Sequence, residues 1–189
     1  GRSKLMIENI LIDYHKAYKL PVSILRYFNA AGADIKGDIG EDHNPETHLI
    51  PLVLEALFKK DGFIKVNGND YPTFDGTCIR DYVHVCDLAK AHVLALKKIL
   101  NDKSLSIYNL GNGKGYSIME VIDTAKKVTG KEIKILQSKR RKGDPPVLIS
   151  SPEKAKRELF WNPEFTDLEN IIRTAWNWYL FKEKINSNK

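Results

Sequence analysis

Two charged clusters and one glycine-rich loop carry most of the chemistry this sequence offers. Arg80 and Asp81 stand side by side where a polar approach, Gly76-Thr77-Cys78-Ile79, enters the short apolar run Tyr82–Val85. Asp87 follows, directly before Leu88–Leu96, a stretch with helical apolar spacing, and reads as that helix's N-cap. Loop, strand and capped helix thus meet within residues 76–88, the kind of junction where open α/β sheets place ligands. Alone, Arg80–Asp81 also admits a bland reading, a surface ion pair beside a helix start. The second cluster is Lys139-Arg140-Arg141-Lys142, closed by Gly143-Asp144-Pro145-Pro146. Four consecutive cations suit an anion: nucleic acid, a pyrophosphate, or simply water around a basic loop. The run lacks the interleaved aromatics and recognisable module of a nucleic-acid binder. The loop Gly111-Asn112-Gly113-Lys114-Gly115 has neither G-x-x-x-x-G-K-[ST] nor G-x-G-x-x-G spacing, so a tight strand-to-helix turn is the better reading.

The elements that must position these groups alternate in type. Ser3–Tyr18 repeats Met6, Ile7, Ile10, Leu11 and Tyr14 on one helical face. Lys4 sits at its start, the unfavourable end of the dipole for a cation. Val22–Phe28 is a buried strand ending in small residues, Asn29-Ala30-Ala31-Gly32-Ala33. Residues 34–47 form a long polar loop. Thr47 is expected to cap a helix from about His48 to Lys59, with Pro51 in its first turn. Phe63–Asn67 alternates as a strand, Asn67-Gly68-Asn69-Asp70 is a turn, and residues 71–79 lead into the central junction. Ser106–Leu110 and Glu132–Leu136 are short strands. Ser117 and Glu120 form a capping box for Ile118–Val128, stopped by Gly130. Pro152 is expected at the first position of a short helix, and Thr166 with Glu169 as a second capping box. The final helix buries Leu168, Ile171, Ile172, Ala175, Trp176 and Tyr179, and the tail from Lys182 is expected to fray. Strands separated by helices give an α/β class.

Composition sets wide bounds. The chain has 189 residues, 42% of them hydrophobic and 29% charged, enough for a core without covalent staples. A net charge of +6 permits anionic partners without selecting one. Cys78 and Cys86 have neither disulfide-framework nor zinc spacing, and no metal is expected. No signal peptide and no bilayer-length apolar run is present, so a cytoplasmic protein without membrane contact is expected. The chain begins at Gly1 already in a helix, which reads as a piece whose beginning lies elsewhere.

Taken together, these segments resemble the UDP-glucose 4-epimerases, extended short-chain dehydrogenase/reductases. The resemblance is carried by Arg26-Tyr27-Phe28-Asn29-Ala30-Ala31-Gly32-Ala33, Gly68-Asn69-Asp70-Tyr71-Pro72-Thr73, Asp75-Gly76-Thr77 and Arg80-Asp81-Tyr82-Val83-His84-Val85 with Asp87-Leu88-Ala89. Tyr108-Asn109-Leu110-Gly111 and Arg140-Arg141-Lys142-Gly143-Asp144-Pro145 complete it, in order, over nearly the whole chain. It implies NAD in a Rossmann domain and a UDP-sugar in a smaller lobe. It also implies interconversion of UDP-galactose and UDP-glucose by C4 oxidation, rotation of the 4-keto sugar and re-reduction. Gly1-Arg2-Ser3-Lys4 resembles the end of the family's Tyr-x-x-x-Lys motif. Lys4 is then the lysine that holds the nicotinamide ribose and lowers the tyrosine's pKa, and that tyrosine would precede Gly1. Tyr27 resembles the residue lining the nicotinamide side and Asn29 the contact to the sugar-nucleotide phosphates. His48 stands where many members have Asn, and Leu49 resembles a backbone contact to the nucleotide. Lys65, Val66 and Asn67 resemble the strand edge that reads uracil. Arg80 and Arg141 resemble the pyrophosphate arginines, a role that suits multi-donor guanidinium groups. Asp144 resembles the acceptor for the uridine ribose. Leu148 falls where residue size varies with tolerance of N-acetylated sugars.

The fold expected on this basis is the C-terminal portion of a Rossmann-type enzyme plus its α/β substrate lobe. Residues 1–33 would end the NAD-binding domain, 34–79 and 113–181 would form the substrate lobe, 80–112 would return to the Rossmann sheet, and 182–189 would be the tail. A lone half would lack the general base and show little turnover. A separate Rossmann half and a homodimer through the first helix are the implied partners, and nucleic acid is not. Rival readings are a non-catalytic UDP-sugar-binding remnant, a UDP-N-acetylglucosamine 4-epimerase and a nucleotide-sugar dehydratase.

Overall fold

The computed structural model describes residues 1–187. Its first helix, α1 (Arg2–Tyr18), lies against strand β1 (Val22–Tyr27), where Glu8 pairs with Arg26. The helix buries none of its residues, and Met6, Ile7, Ile10 and Tyr14 all stay more than half exposed. After Phe28 the chain continues as β2 (Asn29–Ala31) and changes partners. β1 pairs in parallel with β5 (Leu105–Leu110), whereas β2 pairs in parallel with β4 (Ile79–His84). The β1–β2 strand therefore lies between β5 and β4, with the change of partner at Phe28.

β4 is shared along its length. Its second half pairs with β2. Its first half pairs antiparallel with β6 (Gly115–Ser117) and parallel with β8 (Val147–Leu148). A separate parallel pair joins β3 (Phe63–Asn67) to β7 (Lys134–Ser138). The observed β7 starts two residues later than the sequence suggests.

Two apolar clusters hold these layers. One packs α2 (Leu49–Phe58), α4 (Ile118–Thr129) and α6 (Leu168–Ser187) around Leu54, Ile122, Ile171 and Ile172, with Val66 of β3 and Tyr82 of β4. The other packs α3 (Val85–Asp102) and α5 (Glu153–Leu159) onto β4 and β5 through Leu88, Tyr108, Leu110, Leu159 and Trp161. Burying each such side chain is worth about 1.5–3 kcal/mol.

Local chemistry explains the ends. Ser117 and Glu120 make the expected capping box, and Gly130 closes α4 at φ +66°. Asp87 does not cap α3. His84 occupies the cap, and its Nδ1 accepts from the Cys86 N–H at 3.1 Å. Asp87 lies within the first turn and is fully buried. Its two carboxylate oxygens accept from the N–H groups of Glu164 and Phe165, both at 2.9 Å, while Trp161 Nε1 donates to its carbonyl. Asp87 is thus spent on the 161–165 connection, a long-range partner that local capping rules cannot anticipate. Thr47 caps nothing either: His48 holds the cap of α2 without a side-chain bond, and Glu46 takes the N–H groups of Thr47 and His48. Pro152 is the cap of α5 rather than its first residue. At the head of α6, Asp167 accepts from the Asn170 N–H at 3.2 Å. Glu169 turns instead to Lys127 and Arg173. The tail is helical as far as Ser187, with Lys182 paired to Asp42. Residues 188–189 lie outside the described residues. No helix among the described residues is long and apolar enough to cross a membrane.

Candidate functional site

The site grows from the first half of β4. Asp81 is fully buried, and its carboxylate is an internal anion rather than half of a surface pair. Oδ1 accepts from the Asn112 N–H at 2.9 Å. Oδ2 accepts from the N–H groups of Gly113 and Ser150 at 3.0 and 3.1 Å and from Ser150 Oγ at 2.5 Å. The glycine-rich loop after β5 therefore does cradle an anion, but the anion is Asp81. Gly111 must be small here, because a Cβ would stand 2.3 Å from Ser150 Oγ and 2.6 Å from Asp81 Oδ2. These bonds tie β4, the 111–115 loop and the segment entering α5 into one block.

On that block Arg80 turns the other way. Its Nη1 donates to the Ile79 carbonyl at 2.8 Å, and its Nη2 lies 3.5 Å from Asp144 Oδ1. The Arg80 side chain is 12% exposed and that of Asp144 38%, so the pair faces an opening rather than the core. Leu148 is the register partner of Arg80 across β4–β8 and is half exposed. The Ile79 N–H donates to the Pro146 carbonyl at 2.8 Å, which fixes the 144–148 segment against β4.

Arg141 belongs to a second arm. With the Asn67 amide turned so that its oxygen faces the guanidinium, the orientation that satisfies both groups, Arg141 Nε and Nη2 donate to it at 3.1 and 3.2 Å. Asn67 ends β3, with Val66 buried and Lys65 exposed. An open groove of about 430 Å³ runs past Leu52, Lys59, Lys65, Asn67 and Arg141. Arg140 lies over the Tyr71 ring, its guanidinium carbon 4.2 Å from the centroid, and pairs with Asp70 at 2.6 Å. That cation is structural.

The loop between these arms is pinned through Asp75. Its carboxylate accepts from Thr77 N and Thr77 Oγ1, both at 2.8 Å, and from Ser117 Oγ. Burial works to raise its pKa, but these donors outweigh it and hold the group below its usual range.

The remaining sequence-derived residues lie on other elements. Asn29 opens β2 and pairs in register with Tyr82, two positions from Arg80. Tyr27 ends β1, 51% exposed, with its ring 6.0 Å from that of His92. Lys4 is exposed in the first turn of α1, and its ammonium has no ion pair or hydrogen bond among the described residues. His48 and Leu49 head α2, with His48 beside Glu46. The structure thus unites Arg80, Asp144 and Leu148, and separately Asn67 and Arg141. It does not join Lys4 or His48 to either group.

Asp81, Asp75, Ser117 and Ser150 position the site, and sequence reasoning gave none of them that role. A carboxylate at the entry of an apolar strand was the available signal for Asp81. Its partners lie 31 to 69 residues away, beyond any local pattern.

Comparison with known proteins follows this geometry. The description "NAD dependent epimerase/dehydratase family" matches residues 1–111. The chain belongs to that family. A UDP-glucose 4-epimerase of Lacticaseibacillus casei is 49% identical over 179 residues, 95% of this chain and 54% of that protein. The crystal structure of UDP-glucose 4-epimerase from Brucella ovis in complex with NAD superposes with a TM-score of 0.88 at 47% identity, covering 93% of this chain and 54% of that one. The enzyme from Bifidobacterium longum in complex with NAD+ and UDP gives 0.90 at 39% identity, covering 97% and 55%. The chain spans about half the length of the curated relatives it matches.

Proposed function

We propose that this chain is the UDP-sugar-binding part of a UDP-glucose 4-epimerase, an isomerase that interconverts UDP-galactose and UDP-glucose. The carrying observation is the convergence of Arg80, Asp144 and Leu148, from residues 80 and 144–148, beside the Asn67–Arg141 arm. Arg80 and Arg141 bind the pyrophosphate, because both guanidinium groups keep donors beyond those already engaged. Asp144 accepts from the ribose hydroxyls. Lys65, Val66 and Asn67 meet the uracil along β3, Asn29 contacts the phosphates, His48 takes the substrate-side position that many members fill with Asn, and Leu49 offers its backbone. Leu148 bounds the sugar and sets the tolerance for N-acetylated substrates.

Two of this chain's groups suit NAD. Lys4 carries an unspent ammonium, and Tyr27 presents half its surface at the carboxyl end of β1. Lys4 would hold the ribose and Tyr27 the nicotinamide side. NAD, when bound, takes a hydride from the sugar C4 and returns it. Lys4 would also lower the pKa of a neighbouring tyrosine base by its charge. The first position of that motif precedes Gly1, and residues 1–189 assayed without it are expected to turn over little. The domain division set out from the sequence belongs to the same reading, as do homodimerisation through α1 and a Rossmann partner.

Calorimetric titration with UDP tests it. Arg80→Ala should weaken binding about 10–100-fold, the equivalent of one or two charge-assisted bonds, and Arg80→Lys should not restore it. Equal affinity in parent and Arg80→Ala refutes the assignment. Robust epimerase turnover by this chain alone refutes the expectation of inactivity.

A further inference from the structure

The loop between β2 and α2 gathers four metal-binding side chains that the UDP-sugar reading does not use as a group. Glu41, His43, Glu46 and His48 each present one ligand atom, and these atoms all lie within 4.8 Å of one another. His48 Nδ1 stands 2.9 Å from Glu46 Oε1 and 3.7 Å from Glu41 Oε1. The edge of a tetrahedral zinc site with about 2.0–2.2 Å bonds is about 3.4 Å; the two His48 separations lie on either side of it, and His43 Nδ1 sits closer to Glu41 Oε1 than that edge, so the His43 ring must draw back to admit an ion. His43 Nδ1 lies against the same Glu41 oxygen, and the two imidazole centroids are 5.2 Å apart. That oxygen is shielded from solvent, and its close polar neighbours are the ring nitrogens of His43 and His48. The sequence reading expects no metal because it weighs cysteine spacing. Here the donors are imidazole and carboxylate.

The surroundings hold the loop in place. Trp178 Nε1 donates to the Glu41 carbonyl at 2.9 Å, Lys182 pairs with Asp42, and Gly40 rests on the Trp178 ring. Glu46 is oriented by the N–H groups of Thr47 and His48. Two carboxylates and two imidazoles match zinc, cobalt or nickel, whereas calcium and magnesium want six or more oxygens.

We propose that Glu41, His43, Glu46 and His48 bind one divalent transition cation of the zinc class, which clips the 34–48 loop to the head of α2. The cation takes lone pairs from the four side chains, with no change of oxidation state.

The test is a cobalt(II) titration of the whole chain, free of any histidine tag and stripped with chelator. The expected result is a saturable visible spectrum of tetrahedral intensity at one ion per chain. Zinc should displace the cobalt, and millimolar magnesium should not. His43→Ala and, separately, the near-isosteric Glu46→Gln should each weaken binding about 100-fold or more. His15→Ala, on α1 and remote from the loop, should leave it unchanged. Circular dichroism checks that each variant folds. No saturable spectrum, more than one ion per chain, or unchanged affinity in folded His43→Ala and Glu46→Gln overturns the proposal. The readout is metal binding and does not depend on UDP recognition.

Discussion

Replacing Asp81 with asparagine removes one oxygen from a carboxylate that serves four donors. Asn112 N–H bonds to Oδ1, and Gly113 N–H, Ser150 N–H and Ser150 Oγ bond to Oδ2. Either orientation of the new amide sets its NH2 against at least one of these donors. In the better one, the amide oxygen keeps the Oδ2 side and the NH2 faces the Asn112 N–H. A charge-assisted bond is lost, worth about 1.5–3 kcal/mol, and a buried N–H is left unpaired at about 1–3 kcal/mol. The sum is about 2.5–6 kcal/mol, a large share of the ~5–15 kcal/mol that holds a typical domain. Urea unfolding measures it. With a slope of about 2 kcal/mol/M, the midpoint should fall by about 1–3 M with the slope unchanged. Ser150→Ala in the same background should show coupling of about 1 kcal/mol or more, since both groups share one contact. A destabilisation below about 1 kcal/mol would show that the carboxylate is not the anchor of this block. Arg80 would then owe its placement to something other than its neighbour in β4.

Four further substitutions separate local from long-range effects. Ser117→Ala removes the α4 cap and the bond to Asp75, and should lower stability by about 1–2 kcal/mol, or roughly 2–8 °C in Tm by calorimetry. Gly62→Ala puts a Cβ 1.8 Å from the Ala56 carbonyl oxygen, whereas Gly130→Ala meets nothing within 4 Å and bears only its positive φ. The first should therefore cost well above the ~1–2 kcal/mol of the second, and the reverse order in denaturant melts would contradict the packing. His84 is held neutral. Burial pushes its pKa down, Nδ1 accepts from Cys86 N–H, and Nε2 donates to Thr174 Oγ1 at 2.9 Å. Its folded pKa lies below the unfolded value of about 6.5, so the unfolded chain binds the extra proton first. Stability should fall as pH drops below about 6.5, and His84→Gln should flatten that slope relative to the parent; identical slopes would exclude the buried neutral imidazole.

The sequence by itself determined the elements and the residue types of the site. Apolar spacing marked α1, α2, α4 and α6, Ser117 and Glu120 marked a helix start, and Gly130 marked its stop, because each signal lies within one or two turns of chain. Arg80 and Arg141 were legible as candidate anion contacts from charge at element ends, and Asp144 only through the family resemblance. The tertiary structure alone decided what each polar group faces. Asp87 looked like a cap and serves residues 164 and 165; Asp81 looked like half of an ion pair and anchors the glycine loop; the Arg80 partner is Asp144, not Asp81. Whether a carboxylate caps its own helix or satisfies distant amides depends on burial, since a buried charge must take every donor within reach. The gathering of Glu41, His43, Glu46 and His48 likewise depends on how α6 holds the loop, through Trp178 and Lys182 more than a hundred residues later.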